Sequence, residues 1–220
     1  MIHDLQERLD GYRWVGVGRD DGKEAGEFTP IFFRADRWEI EEHASFWLAA
    51  VCDLPGRGWD AVCSRTVTWA RLLDRDAKKH CFHFNTHLDH MGRNARSQSA
   101  LLLLQKIHEI AHNEPVVVTG DFNCGDGSMP YQILTGKVPF PGEVNRYAPL
   151  RDAYYESEFP PEGPQKTYQG LMSWFGIGRI DYAFLKNGFA TRRYAVLRDA
   201  GRASDHRPVL VELNFSERAA

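Results

Sequence analysis

The pattern of apolar and polar residues predicts many short strands and one long helix. Runs of β-branched, aromatic and apolar residues, separated by Gly, Asp or Pro, are typical of strands. They cover 12–18, 29–33, 38–43, 66–73, 81–86, 180–185, 190–197 and 209–213. Helical spacing of apolar residues predicts a short helix over 2–9 and a long helix over 93–112. This mixture favours an α/β protein with packed sheets.

Two further segments stand out from this pattern. The three valines at 116–118 form a wholly apolar run that ends at Gly120 and Asp121, which is typical of a strand buried on both faces. Segment 136–166 is rich in Pro, Gly and charged residues, which predicts surface loop around a short element at 150–155.

Composition narrows the class of protein. The chain of 220 residues is 43% hydrophobic and 26% charged, which is typical of an ordered globular protein, and its length favours a single domain over 1–220. The net charge of −3 provides no broad attraction to a polynucleotide backbone. No apolar run approaches the ~18 residues of a membrane span, and no secretory signal is recognisable. With no Cys-x-x-Cys pair among the four cysteines, we expect a cytoplasmic protein with reduced, mostly buried thiols.

Four polar segments lie at or beside the ends of predicted strands, where a sheet edge can direct side chains into a shared cleft. They are 86–90, 120–123, 179–182 and 204–208. Asp121 and Asn123 are separated by one residue, so an extended chain would place both on one face and Phe122 on the other.

Each segment alone also has a structural interpretation. The alternatives are a capped turn for Asp121 and Asn123, a local hydrogen-bonded pair for Asp205 and His206, a satisfied strand-end histidine for His87, and an ion pair with Arg179 for Asp181. Only the co-occurrence of the four segments favours a catalytic site.

Together and in this order, the four segments resemble the signatures of the endonuclease/exonuclease/phosphatase superfamily, which includes pancreatic-type deoxyribonuclease, AP endonucleases, sphingomyelinases and nocturnin-like enzymes. Segments 18–22, 26–31, 45–48 and 58–61 look like a bacterial branch related to nocturnin-like proteins. The resemblance implies a four-layer α/β sandwich of two packed mixed β-sheets flanked by helices. It also implies water attack on a phosphodiester, in a nucleic acid or nucleotide, or on a phosphomonoester.

The resemblance implies a role for each polar residue. Asp121 would orient and activate the attacking water, and Asn123 would hold that water or a phosphoryl oxygen. His87, buttressed by Glu27, would stabilise developing charge or assist the leaving oxygen. Phosphoester hydrolysis needs these functions, because the water must be aligned and the charge on the phosphoryl oxygens neutralised.

The resemblance also implies a metal site. Asp205 would help to bind a divalent cation, and His206, oriented by Asp181, would contact the scissile phosphate. Carboxylate and amide oxygens suit Mg²⁺, or Mn²⁺, and the thiolate and histidine sets typical of zinc are not assembled in this sequence. Histidines held by carboxylates, with an ordinary pKa of about 6.5, suit proton transfer near neutral pH.

One family feature is missing from the sequence. In the family, a strand bearing an Asn and then a Gln-Glu segment precede the helix that leads into the equivalent of Gly11. Here Gln6 and Glu7 lie too close to Gly11, and they are typical of a solvated helix face. Loss of the family Glu would remove a principal metal ligand and leave a strand edge unpaired. A misplaced start or trimmed fragment, and a catalytically impaired binding or scaffold protein, both stay open.

Three further features have alternatives. Ser204 could serve a Ser-His-Asp hydrolase, but it lacks the Gly-x-Ser-x-Gly elbow. Asp89, His90 and Arg96 are expected to brace their loop rather than react. The apolar segment 171–175 could contact a base, a sugar or a lipid, or simply fill a hydrophobic gap. The sequence indicates no protein partner.

Overall fold

The computed structural model describes residues 2–138, 147–170, 178–198, 201 and 203–216. The apolar segment 171–175 therefore lies outside the described residues. The elements are α1 (Ile2–Arg8), β1 (Tyr12–Val15), β2 (Ile31–Arg34), β3 (Trp38–Trp47), β4 (Thr66–Asp74), β5 (Lys79–His87), α2 (Arg93–Ala111), β6 (Val116–Asp121), α3 (Met129–Leu134), β7 (Arg151–Asp152), β8 (Asp181–Lys186), β9 (Phe189–Val196) and β10 (Val209–Phe215). In the described part of the chain, no helix has the length and apolar character needed to cross a bilayer.

A mixed six-stranded sheet forms the centre of the fold, with the strand order β3-β4-β5-β6-β8-β7. Strands β5 and β6 are parallel, and α2 forms the crossover between them, as parallel neighbours require. The register pairs His87 with Asp121, and Asp121 with Asp181. Three strand ends therefore meet side by side at one edge of the sheet.

Two antiparallel hairpins, β1–β2 and β9–β10, form the second β layer. The core has two parts, one with side chains of α2 and α3 and the other with side chains of the hairpins. The first includes Phe84, Leu103, Val118 and Leu134, and the second includes Ile31, Ala70, Leu185 and Tyr194. Helix α1 contacts β1, where the Trp14 indole donates to Gln6. These layers confirm the predicted α/β sandwich, although in the described residues two separate antiparallel strand pairs take the place of the second mixed sheet.

A groove of about 620 Å³ lies between the hairpins. The backbone at 28–29 and strand β10 line its sides, Asn85 and Thr119 contribute to its floor, and it extends to His87, Asp121 and Asp181. Val117 also lines the groove and is partly exposed, whereas Val116 and Val118 are fully buried. The prediction that this strand is buried on both faces is therefore wrong for Val117, because the hairpins do not close over it.

Several element bounds also differ from the predictions. Strand β3 continues to Trp47 through a bulge between Ile40 and Glu42, and such a bulge breaks the alternation that a sequence pattern detects. Helix α3 was not predicted. All four cysteines are unpaired, and two of them, Cys81 and Cys124, are buried.

Candidate active site

Gly120 brings the ends of β5 and β6 together. Its φ is +151°, and a Cβ at this position would lie 2.0 Å from the carbonyl oxygen of Thr86. Only glycine fits such a close approach between backbones. As a result, Asp121 Oδ2 lies 3.3 Å from His87 Nε2.

The chain turns immediately after Asp121. Asn123 adopts a left-handed conformation with φ +47°, which asparagine tolerates better than most residues. Its backbone N–H donates to Asp121 Oδ1 at 2.8 Å, and its side-chain amide donates to the Leu88 carbonyl at 2.9 Å. Phe122 is buried, as predicted, but the extended geometry expected for Asn123 is wrong. The turn fixes Asp121 Oδ1 and leaves Oδ2 beside the two histidines.

A second carboxylate and histidine pair faces Asp121. His206 Nδ1 lies 2.8 Å from Asp181 Oδ2, and His206 Nε2 lies 3.9 Å from Asp121 Oδ2. The Thr167 hydroxyl accepts the backbone N–H groups of Ile180 and Asp181. Thr167 therefore positions the start of β8, a contribution that had no signal in the sequence.

Asp121, Asp181 and His206 can converge on one cation. Each offers one ligand atom, and the three atoms lie within 4.8 Å of one another. Two neighbouring carboxylates repel each other unless a cation or a proton lies between them, so this donor set fits a divalent metal ion. Asp205 is exposed and does not belong to this group, and its backbone carbonyl accepts a hydrogen bond from Gln169.

The surroundings of Asp121, His206 and His87 shift the pKa values of these three groups in different directions. Burial, followed by the charge of Asp181, raises the pKa of Asp121 to about 6. The hydrogen bond to Asp181 raises the pKa of His206, which favours its imidazolium form. Burial, followed by the charges of Arg65 and Arg19, lowers the pKa of His87 to about 3. The sequence predicts the same ordinary pKa for His87 and His206, but in the structure the two values shift in opposite directions, and His87 is neutral near pH 7.

Glu27 lies on the far side of the His87 ring from Asp121. Its Oε2 atom is 3.6 Å from His87 Nδ1, accepts a hydrogen bond from Arg19, and is 3.6 Å from Nη1 of Arg65. Arg19 lies in segment 18–22 of the family resemblance, which assigned it no role, and the sequence did not single out Arg65. Buried arginine becomes recognisable only when its surroundings are known.

The other residues singled out in the sequence lie around this site. Asp89 accepts four backbone N–H groups, and Arg96 donates to its carbonyl, so both brace the loop. The Ser204 hydroxyl accepts the backbone N–H of His206, whose Nδ1 is bonded to Asp181. Glu7 is exposed on α1.

Comparison with known proteins agrees with this architecture. The model of the Endonuclease/Exonuclease/phosphatase family matches residues 7–206. An endonuclease/exonuclease/phosphatase from Bacteroides vulgatus is 37% identical, with a TM-score of 0.85, over 98% of this chain and 80% of that one. A mannosyl-6-phosphatase from Bacteroides thetaiotaomicron is 36% identical, with a TM-score of 0.86, over 97% and 80%. The human Nocturnin catalytic domain, 19% identical over 98% and 76%, shares the fold with a TM-score of 0.73. No curated protein matches the sequence.

An α/β sandwich with carboxylates and histidines at one end of its central sheet is the architecture of a class of phosphoester hydrolases. The chain belongs to the endonuclease/exonuclease/phosphatase family.

Proposed function

We propose that this protein is a divalent-metal-dependent phosphoesterase that hydrolyses its substrate by water attack at phosphorus. The observation that carries the proposal is the convergence of Asp121, Asp181 and His206 at one end of the sheet, with ligand atoms within 4.8 Å of one another. When bound there, Mg²⁺ or Mn²⁺ would neutralise phosphoryl oxygens and polarise the phosphorus.

Asp121 and Asn123 act on the attacking water. The free oxygen of Asp121 accepts a proton from the water, and the turn at Asn123 holds the carboxylate in place through Oδ1. Asn123 accepts a hydrogen bond from the water through its side-chain oxygen, or donates the second N–H of its amide to a phosphoryl oxygen, because only one amide N–H is bonded to Leu88. Asp205 stays a proposed contributor to metal binding through a water molecule, because it is exposed beside His206.

The two histidines act on the phosphate. His206 is held by Asp181 and favoured in its charged form, so it donates from Nε2 to a phosphoryl oxygen, and the cation would then be held by the carboxylates of Asp121 and Asp181. Neutral His87, with Glu27 beside Nδ1, donates or accepts one hydrogen bond at the leaving oxygen. The pair therefore places one cationic and one neutral imidazole on either side of Asp121.

The first substrates to test are phosphomonoesters of sugars. The Bacteroides thetaiotaomicron relative at 36% identity is a mannosyl-6-phosphatase, and the net charge of −3 favours a small substrate over a polynucleotide. Nucleotides and other phosphodiesters form the second substrate set, because one fold serves several phosphoester classes.

The test measures phosphate release from mannose 6-phosphate and p-nitrophenyl phosphate, and cleavage of bis-p-nitrophenyl phosphate and single-stranded DNA, with Mg²⁺, Mn²⁺ or EDTA. We expect metal-dependent turnover that falls at least ~100-fold in His206→Gln, because a charged donor to the transition state is lost. His80→Gln is the matched control, because His80 forms a comparable carboxylate pair with Glu41 at the other end of β5.

Three results would contradict the proposal. Turnover that persists in EDTA would show that the reaction needs no divalent metal. Equal activity in His206→Gln and His80→Gln would show that the proposed site does not catalyse the reaction. Substrate binding without turnover under every condition would favour the binding or scaffold interpretation instead.

A further inference from the structure

The loop between β3 and β4 lies at the same end of the central sheet as the proposed site. The register pairs Trp47, at the end of β3, with Thr66, at the start of β4. Strand β4 in turn pairs with β5 up to Thr86, one residue before His87. The loop over 48–65 therefore begins and ends beside the strand end that carries His87.

The middle of this loop is held in place on two sides. The Asp60 carboxylate accepts the backbone N–H groups of Asn94 and Ala95 at the start of α2, at 3.3 and 2.5 Å. A Cβ at Gly92 would lie 2.7 Å from the carbonyl oxygen of Asp60, so the loop also packs closely against the segment that follows β5. These contacts fix the backbone around residues 58–62.

Three apolar side chains of this fixed region are exposed to solvent. Trp59 is 40% exposed, Val62 45% and Met91 65%. Asp89 holds the last two side by side, because Oδ2 accepts the Val62 N–H at 3.2 Å and Oδ1 accepts the Met91 N–H at 3.0 Å. Within the described residues, none of the three packs against either core cluster. Trp59, Val62 and Met91 together form an apolar platform, which is typical of a surface that contacts a ligand.

The backbone of Trp59 is strained. Its φ is +50°, a left-handed conformation that glycine adopts freely but that is unfavourable for a bulky aromatic residue. Strain of this kind persists where surrounding contacts impose it, and such positions cluster at ligand-binding and catalytic sites. Because Trp59 packs against neither described core cluster, the strain holds an aromatic ring at the surface for a different contact.

The apolar platform lies beyond His87, on the side away from Asp121. His87 Nε2 faces Asp121, whereas Nδ1 faces Glu27. Arg65 connects this second side to the platform, because its Nη1 atom lies 3.6 Å from Glu27 Oε2 and its Nε atom lies 3.5 Å from Asp89 Oδ2. The platform is therefore reached from the face of His87 that is turned away from the attacking water.

We infer that the apolar platform binds the apolar face of a ring in the leaving group of the substrate. In-line attack by a water at Asp121 directs the leaving oxygen to the opposite side, where His87 acts. An indole ring can cover the C–H face of a sugar or the face of a base. The substrates are therefore phosphoesters of ring-bearing alcohols. The inference deepens the proposed function and rests on it for the direction of the leaving group.

Binding is tested with phosphonates, whose C–P bond the reaction does not cleave. Propylphosphonate and 3-phenylpropylphosphonate differ only by a ring, and each is titrated into the protein with Mg²⁺ and followed by calorimetry. We expect Trp59→Asn to weaken 3-phenylpropylphosphonate binding ~10-fold and to leave propylphosphonate unchanged, whereas Trp59→Phe retains most of the affinity. Asparagine tolerates a left-handed backbone, so the loop keeps its conformation. Met91→Gln, which leaves that backbone untouched, should weaken the same ligand less.

Substrate selectivity is the second measurement. The kcat/KM for mannose 6-phosphate and for adenosine 5′-monophosphate is divided by that for glycerol 3-phosphate, which has no ring. The larger ratio in the unmodified chain identifies the ring as a sugar or a base, and that ratio should fall ~10-fold in Trp59→Asn. Phe159→Ala is the matched control, because Phe159 is an exposed aromatic residue in the segment bonded to Thr191, near the start of β9.

The two measurements separate this inference from the proposed function. Equal affinity of the unmodified chain for the two phosphonates, or unchanged 3-phenylpropylphosphonate affinity in both Trp59→Asn and Met91→Gln, would overturn the platform. If the affinity falls as expected but no phosphoester is hydrolysed, the platform stands and the proposed function fails.

Discussion

At the residue scale, Asp121 places function and stability in conflict. Its pKa is about 6 in the folded protein, because of burial and then Asp181, against an ordinary value of 3.8 in the unfolded chain. The folded state therefore resists ionisation of this group. At a pH below 3.8 the carboxyl is protonated in both states and does not lower the free energy of unfolding. At a pH above about 6 it is ionised in both states, and the full destabilisation is present. In the absence of metal, Asp121 should destabilise the protein at neutral and higher pH.

Asp121→Asn should accordingly stabilise the metal-free protein while it inactivates the enzyme. The amide keeps an acceptor for the Asn123 N–H and carries no charge. We expect the free energy of unfolding in EDTA to rise by on the order of 1–3 kcal/mol at about pH 8, and the gain to vanish near about pH 4. Turnover with metal should fall at least ~100-fold.

Urea unfolding over this pH range measures the effect. Asp76→Asn is the matched control, because the Asp76 side chain is 80% exposed, and it should change little at either pH. A metal-free Asp121→Asn protein that is less stable than the unmodified chain at about pH 8 would show that Asp121 is not held in an unfavourable environment.

At the element scale, the sequence predicts strands better than it predicts their ends. Apolar runs identified β4, β5, β8 and β10 because these strands pack one or both faces. Helix α3 was missed although Ser128 at its N-cap and Pro130 near its start are usual signals. With only six residues, it is too short for helical periodicity to emerge.

The predicted site follows from the same element logic. Polar residues at the ends of β5 and β6 and at the start of β8 had to meet once these strands became neighbours, because β8 runs antiparallel to β6. By contrast, Arg65 precedes β4 and its importance depends on Asp89 and Glu27, which are distant in sequence. Local patterns report the side chains that a strand end presents, but they do not report which donors stay unpaired.

Gly120→Ala should separate β5 from β6 at the site. A methyl group would lie 2.0 Å from the Thr86 carbonyl oxygen, and the backbone already has φ +151°. We expect a loss of about 2–4 kcal/mol in the free energy of unfolding, together with loss of turnover, because Asp121 and His87 would move apart. Thermal and urea unfolding measure the loss.

Gly125→Ala provides the matched control for this change. No atom lies within 4 Å of a Cβ built at Gly125, so its effect should stay within about 0.5 kcal/mol. Comparable stability of the two alanine variants would contradict the close approach at Gly120.

At the scale of the whole molecule, one buried ion pair joins three layers of the fold. Asp152 of β7 accepts two hydrogen bonds from Arg179, at 2.9 and 2.6 Å, and a third from Tyr131 of α3. The Arg179 guanidinium lies 4.4 Å from the Tyr182 ring of β8 and 5.9 Å from the Tyr194 ring of β9. The helix layer, the central sheet and the β9 strand therefore meet around the Arg179 guanidinium, two residues before Asp181.

A double-mutant cycle tests whether this pair acts as a unit. Arg179→Met leaves the Asp152 carboxylate buried without its cation, and Asp152→Asn leaves Arg179 without its anion, so each change alone should cost about 3–5 kcal/mol. The double variant is uncharged, and its amide still offers an acceptor to Tyr131. We expect it to be more stable than either single variant in urea unfolding, because no uncompensated charge stays buried.

The exposed pair Arg193 and Glu162 provides the comparison for that cycle. Its two hydrogen bonds, at 2.7 and 2.8 Å, are as short as those of the buried pair, but its side chains are 38% and 54% exposed. Arg193→Met and Glu162→Gln should therefore show a much weaker coupling than Arg179→Met and Asp152→Asn, because solvent screens the exposed pair. Equal coupling in the two cycles would mean that hydrogen-bond geometry, rather than burial at the junction of the layers, determines how strongly the Arg179 pair supports the fold.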